Sequence, residues 1–156
     1  MNRRRAKKLS NRLVGAAVTG DTALVRRLLW AGARPGAADS EGTTPLYAAA
    51  VQGAADIAGL LLRAGADPDA ESGHGAEGTP LCAAACWGHT DTVRALVAAG
   101  ADPALREDHG TGRTPLEWAT TGPHQETITA LLSAGAPPPG NDRAPTPNTS
   151  DARAPG

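Results

Sequence analysis

Cys82 and Cys86 lie four residues apart, His89 follows three residues later and His74 precedes them, a donor set of the kind zinc sites draw on. A closed tetrahedral site needs a second ligand pair at zinc-like spacing, and the chain has none, so the cysteines read as two reduced thiols. His109 and His124, like His74 and His89, fall in turns scattered along the chain. Nucleophilic or acid–base catalysis needs partners within hydrogen-bond reach in a closed pocket, which that scatter does not supply. The glycines of Gly73-His74-Gly75 and Gly110-Thr111-Gly112 precede helical segments but lack the Lys-Ser/Thr that completes a phosphate-binding loop; they read as turn residues. The expectation is no catalytic residue, no metal and no cofactor.

The elements that carry these residues repeat. Thr-Pro-Leu occurs at residues 44–46, 79–81 and 114–116, at two equal intervals of 35 residues, and Gly-Ala runs in phase at 32, 65, 100 and 135. A period of this length is the signature of a solenoid, whose units bury their apolar faces only against neighbours. Thr is a good N-cap and Pro at the first helical position gives up no intrahelical bond, so each Thr-Pro-Leu predicts a helix start. That helix is short and Ala-rich, as in Leu46–Ala50 and Leu81–Ala85, and closes near Gly53 and Gly88. A second helix follows with apolar pairs four residues apart: Leu24-Val25 with Leu28-Leu29, Ile57-Ala58 with Leu61-Leu62, Thr92-Val93 with Leu96-Val97, Ile128 with Leu131-Leu132. Gly-Ala ends it, the glycine taking the left-handed conformation without a Cβ penalty.

Helix, turn, helix and polar finger at 33 to 35 residues resemble the ankyrin repeat family. The resemblance rests on the Thr-Pro-Leu openings, the following Ala-Ala pairs, Gly88-His89 between helices, and Gly65-Ala66-Asp67 and Gly100-Ala101-Asp102 at the closures. It implies an all-α, ankyrin-type solenoid of four helix-turn-helix repeats with projecting fingers and a concave face that binds other proteins. His89 then matches the family's inter-helix His. The family's His after Thr-Pro-Leu is replaced by Tyr47, Cys82 and Glu117, and Asn11-Arg12-Leu13 stands where the first opening is expected, as in an N-terminal cap. Two fingers, containing residues 71–78 and 106–113, are longer by two residues, and their glycines suggest altered, mobile tips. The organisation read from the chain is a basic, disordered arm over 1–8, a repeat domain over 9–137 (units about 9–38, 39–70, 71–105 and 106–137), and a disordered Pro-rich tail over 138–156.

Hydrophobic content of 40% without a single Phe predicts a core of Ala, Leu and Val. No apolar run approaches the length of a bilayer span and no signal-like segment follows the basic start, so the expected setting is the cytoplasm. Residues 1–12 hold six basic residues and no acidic one, leaving nine basic against sixteen acidic residues elsewhere. The fingers concentrate Asp39, Glu41, Asp67, Asp69, Glu71, Glu77, Asp102, Glu107 and Asp108 against Arg34, Arg106 and Arg113. Such an edge favours a basic partner surface and argues against nucleic acid there; no small-molecule substrate is expected. The predicted protein-binding residues are Asp39, Ser40, Glu41, Thr43, Val51 and Gln52 in the second unit, Glu71, His74, Glu77, Cys86 and Trp87 in the third, and Asp108, His109, Arg113 and Thr121 in the fourth. Trp87 is the expected interface anchor. Trp118 and Trp30 are expected to pack within their own units. Two alternatives stand beside this reading of a monomeric protein-binding module: an accessory factor holding nucleic acid or an anionic surface through residues 1–12, and a metal or thiol-redox site at Cys82 and Cys86.

Overall fold

The computed structural model describes residues 2–140. Of the expected tail, residues 141–156 lie outside the described residues. The helices, in order, are α1 (Arg3–Thr19), α2 (Thr22–Trp30), α3 (Pro45–Gln52), α4 (Ala55–Arg63), α5 (Pro80–Cys86), α6 (Thr90–Ala98), a single turn α7 (Glu107–Gly110), α8 (Pro115–Ala119) and α9 (Gln125–Ser133). They stack in two rows, α1, α3, α5 and α8 in one and α2, α4, α6 and α9 in the other, with the fingers projecting between units. The described residues form an all-α solenoid of stacked helix pairs, the architecture the resemblance implies.

Every predicted opening is a capped helix start. Thr44, Thr79 and Thr114 accept hydrogen bonds from the backbone N–H groups of Tyr47, Cys82 and Glu117 at 3.3, 3.2 and 3.2 Å, with Pro at the first helical position each time. At the third, Glu117 Oε2 accepts in return from Thr114 N at 2.9 Å, completing a capping box. Glu117 therefore anchors the third opening from the position where the family carries His. Thr79→Ala is expected to lower the unfolding free energy by about 0.5–2 kcal/mol, measured by denaturant titration, because the Cys82 N–H loses its acceptor at a fully buried site. A neutral result would place the helix start elsewhere.

The closures also follow the pattern. Gly32, Gly65, Gly100 and Gly135 all have φ near +90°, and the next residue's N–H reaches five residues back, as from Ala66 to Leu61 O at 3.0 Å and from Ala101 to Leu96 O at 3.0 Å. Those alanines are buried, so the closure also adds a side chain to the core.

Two expectations fail in the first unit. Residues 3–8 are not a separate frayed arm: they continue α1, whose start is capped by Asn2 Oδ1 accepting from Arg4 N at 3.1 Å. The segment Arg3–Leu9 contains only strong helix formers and no Gly or Pro, so the helix runs unbroken through Asn11-Arg12-Leu13. Trp30 does not pack locally; it is 92% exposed. It lies two residues beyond buried Leu28, about 200° round the helix, and so points away from the core.

The core is one stripe of Leu13, Val25 and Leu28, then Leu46, Ile57 and Leu61, then Leu81, Val93 and Leu96, then Leu116 and Leu131, with alanines filling between rows. Only one member of several apolar pairs is fully inside: Leu96 is buried where Val97 is half-buried, and Leu131 is buried where Leu132 is 49% exposed. Adjacent residues on a helix differ by about 100°, and the second row has neighbours on one side only. Among the described residues no helix is long and apolar enough to cross a membrane.

Candidate functional site

The fingers are laced to one another through the acids that the sequence places there. Thr43 Oγ1 donates to Glu77 Oε1 at 2.8 Å and Ser72 Oγ to Glu77 Oε2 at 2.7 Å, while Ser72 Oγ accepts from Thr44 N at 2.9 Å. Gly73 N reaches Gly42 O at 2.9 Å, joining the first finger to the second. The second is joined to the third by Glu71, whose Oε1 accepts from His109 N at 2.9 Å and whose Oε2 lies 2.9 Å from His109 Nδ1. Asp69 Oδ1 accepts from Asp102 N at 2.9 Å lower down. The longer tips are the segments bonded here: Gly73–Gly75 forms a 3-10 turn closed by a Ser72–Gly78 bridge, and Asp108 and His109 both have positive φ within α7.

Between the second and third fingers and the first-row helices lies a concavity of about 490 Å³. Its walls are Glu77 and Gly78 from one finger and Glu107 and Asp108 from the next; its floor is Cys82, Ala83 and Cys86 of α5, and Tyr47, Trp87 and Trp118 stand around it. Ala83 sits one period from Trp118 and from Ala48, so a small residue in the third unit leaves open the space that the fourth unit fills. Glu107 is only 9% exposed and its Oε1 accepts from Trp118 Nε1 at 2.6 Å. Burial pushes its carboxyl above the ordinary value, against the Trp118 hydrogen bond, which favours the ion. Burial raises the Tyr47 hydroxyl first, and the negative charges of Glu77 and Glu107 raise it further. Negative potential therefore reaches the aromatic wall. On Trp118, the guanidinium carbon of Arg113 lies 4.7 Å from the ring centroid, a cation–π contact.

The structure brings four predicted site residues, Glu77, Cys86, Trp87 and Asp108, to this concavity. Trp87 caps α5 and is 62% exposed. The other predicted site residues do not line it. Ser40, Glu41, Gln52, His74 and Thr121 are exposed; Thr121 donates to Trp118 O at 2.7 Å and Arg113 covers Trp118. Asp39 accepts from Glu41 N and Thr43 N at 2.9 and 3.0 Å and so shapes its own finger. Val51 offers its carbonyl to His89, and Glu71 and His109 hold each other. Sequence reasoning left Tyr47, Cys82, Ala83, Glu107 and Trp118 out of the site. Tyr47 and Cys82 share one register 35 residues apart, directly after the Leu of each opening, and that register is the signal that could have found them.

Two of the histidines and one of the cysteines are taken up by the scaffold. His89 Nε2 lies 3.1 Å from Val51 O and His124 Nε2 lies 3.1 Å from Cys86 O, each tying a turn to the end of the preceding unit's first helix. Burial pushes the Cys82 thiol up to about 12, which makes it a poor nucleophile and ligand at neutral pH. Among the described residues no group of three or more His, Cys, Asp and Glu side chains is arranged to hold a metal ion.

Comparison with known proteins agrees with this architecture. The family model for ankyrin repeats (three copies) matches residues 13–107 and 66–142, which together span most of the chain. No curated protein matches it.

Proposed function

Because this chain belongs to the ankyrin repeat family, a family of protein–protein interaction modules, we propose that it binds a basic segment of another protein along its finger edge and the ends of its first-row helices. The observation that carries this reading is the concavity whose walls come from two fingers and whose floor comes from α5, with Glu77, Glu107 and Asp108 facing it. The module acts by binding, as a monomeric scaffold, adaptor or inhibitor, and not by catalysis. Fingers already bonded to one another lose little freedom when a partner docks, which favours affinity.

The test begins with capture of a partner by the immobilised full chain and its identification by mass spectrometry. Reversing the exposed acids Glu41 and Asp108 to Lys is expected to slow association several-fold and to weaken its salt dependence, because rim charges steer encounter. Arg94→Ala lies on the opposite row, where Arg94 pairs with Asp91 and Glu126 in solvent, and is expected to change nothing. Kinetics disrupted by Arg94→Ala and indifferent to the acid reversals would move the interface to the other face.

A second reading has one observation in its favour. Arg5, Lys8 and Arg12 of α1 and Arg27 of α2 line a groove over Leu9, Leu24 and Leu28, so the basic start of the chain presents an organised cationic surface. Nucleic acid or an anionic surface bound there would show steep salt dependence, lost on neutralising Arg5, Lys8 and Arg12.

A further inference from the structure

The chain has four aromatic residues, and three of them, Tyr47, Trp87 and Trp118, stand around the one concavity that Glu77, Glu107 and Asp108 also line. We infer that this concavity is a receptor for a single alkylammonium side chain, a lysine or methylated lysine of the basic partner, held between aromatic faces within the field of the three carboxylates. The inference rests on the protein-binding reading above and names what enters the site.

Aromatic rings attract cations through the negative charge of their faces, and the attraction grows when water is excluded. Here the rings come from three successive units: Tyr47 from α3, Trp87 from the end of α5 and Trp118 from α8. Ala83, at the floor, leaves the space between them unfilled. Trp118 already carries one cation, the Arg113 guanidinium 4.7 Å from its centroid and outside the concavity's lining, so its remaining aromatic surface is the part open to a ligand.

The hydrogen-bond pattern selects the kind of cation. A guanidinium is recognised best by a carboxylate that offers both oxygens in a fork. Glu77 already accepts from Thr43 on one oxygen and from Ser72 on the other, and Glu107 Oε1 accepts from Trp118. What these two carboxylates present to the concavity is charge more than a fork. A compact ammonium at the end of a flexible apolar stem suits that arrangement, since its charge needs no planar partner and its methylenes can lie on the rings.

The probes are seven-residue peptides, acetyl-Gly-Ser-Gly-X-Gly-Ser-Gly-amide, with X lysine, trimethyllysine, arginine or norleucine, titrated into the isotope-labelled full chain. The indole N–H signals of Trp87 and Trp118 are expected to shift saturably with the two ammonium peptides. The signal of Trp30, distant on α2, is expected to stay still. Tighter binding of trimethyllysine assigns the methylated form, and tighter binding of lysine the unmodified one. Trp87→Ala should weaken binding at least about tenfold, and Trp87→Phe should restore most of it, because the ring and not the indole N–H is required. Equal response to norleucine would make the site merely apolar, preference for arginine would overturn the choice of cation, and an unaffected Trp87→Ala would remove the aromatic wall; each defeats the inference. If Glu41→Lys slows capture of the protein partner while both indoles ignore the ammonium peptides, the receptor assignment falls and the protein-binding reading stands.

Discussion

Leu96→Ala is expected to lower the unfolding free energy by about 2–5 kcal/mol, with the denaturant midpoint falling in proportion and the slope unchanged. Leu96 is fully buried on α6, which packs between α4 and α9 within its own row and against α5 of the other, so the truncated side chain leaves a cavity that these three helices would have to collapse to fill. A solenoid has no distant contacts to share the loss, because each unit is held only by the next. The same truncation at Leu132, half-exposed on the last helix, should cost less than about 1 kcal/mol, since most of that side chain is already in water. Equal losses at the two positions would mean that the buried stripe is assigned to the wrong face.

Glu107→Lys is expected to destabilise by about 3 kcal/mol, whereas Glu41→Lys should stay within about 0.5 kcal/mol. On the sequence the two are alike, acids in the first and third fingers. In the fold Glu41 is exposed, and Glu107 is buried beside Cys82 with Trp118 Nε1 donating to it. A lysine there would leave the indole N–H without its acceptor and put an ammonium where a carboxylate is already desolvated. Thermal or chemical melts that rank the two variants as equals would show that the Glu107 carboxylate is not part of the packed wall. Charge-reversal studies of binding therefore belong on exposed acids such as Glu41 and Asp108 rather than on Glu107.

Glu71 makes the same point. Its charge counts towards an acidic edge, yet both oxygens are turned to His109 of the next finger. A negative residue in a finger can attract a partner or fasten a neighbour, and only the position of the neighbour separates the two. The buried Ser72 behaves alike: nothing in its sequence surroundings marks it, but it bridges the cap of α3 to Glu77.

The architecture was legible in the chain because its causes are local. A Thr cap, a Pro at the first helical position and a Gly in the left-handed region act within four or five residues, so Thr79-Pro80-Leu81 and Gly100-Ala101 state where helices begin and end without reference to anything distant. The repeat then dictates which faces meet, since identical units stack by one operation, and Leu61, Leu96 and Leu131 fall into one row 35 residues apart. The concavity has no local cause. It exists where Tyr47, Trp87 and Trp118, up to 71 residues apart in sequence, are brought around Ala83, where the second finger is fastened to the first through Glu77 and to the third through Glu71, and where Glu107 meets Trp118. Residue type and spacing determined the scaffold; which acids are free and which aromatics share a wall depended on contacts between units, which no single repeat contains.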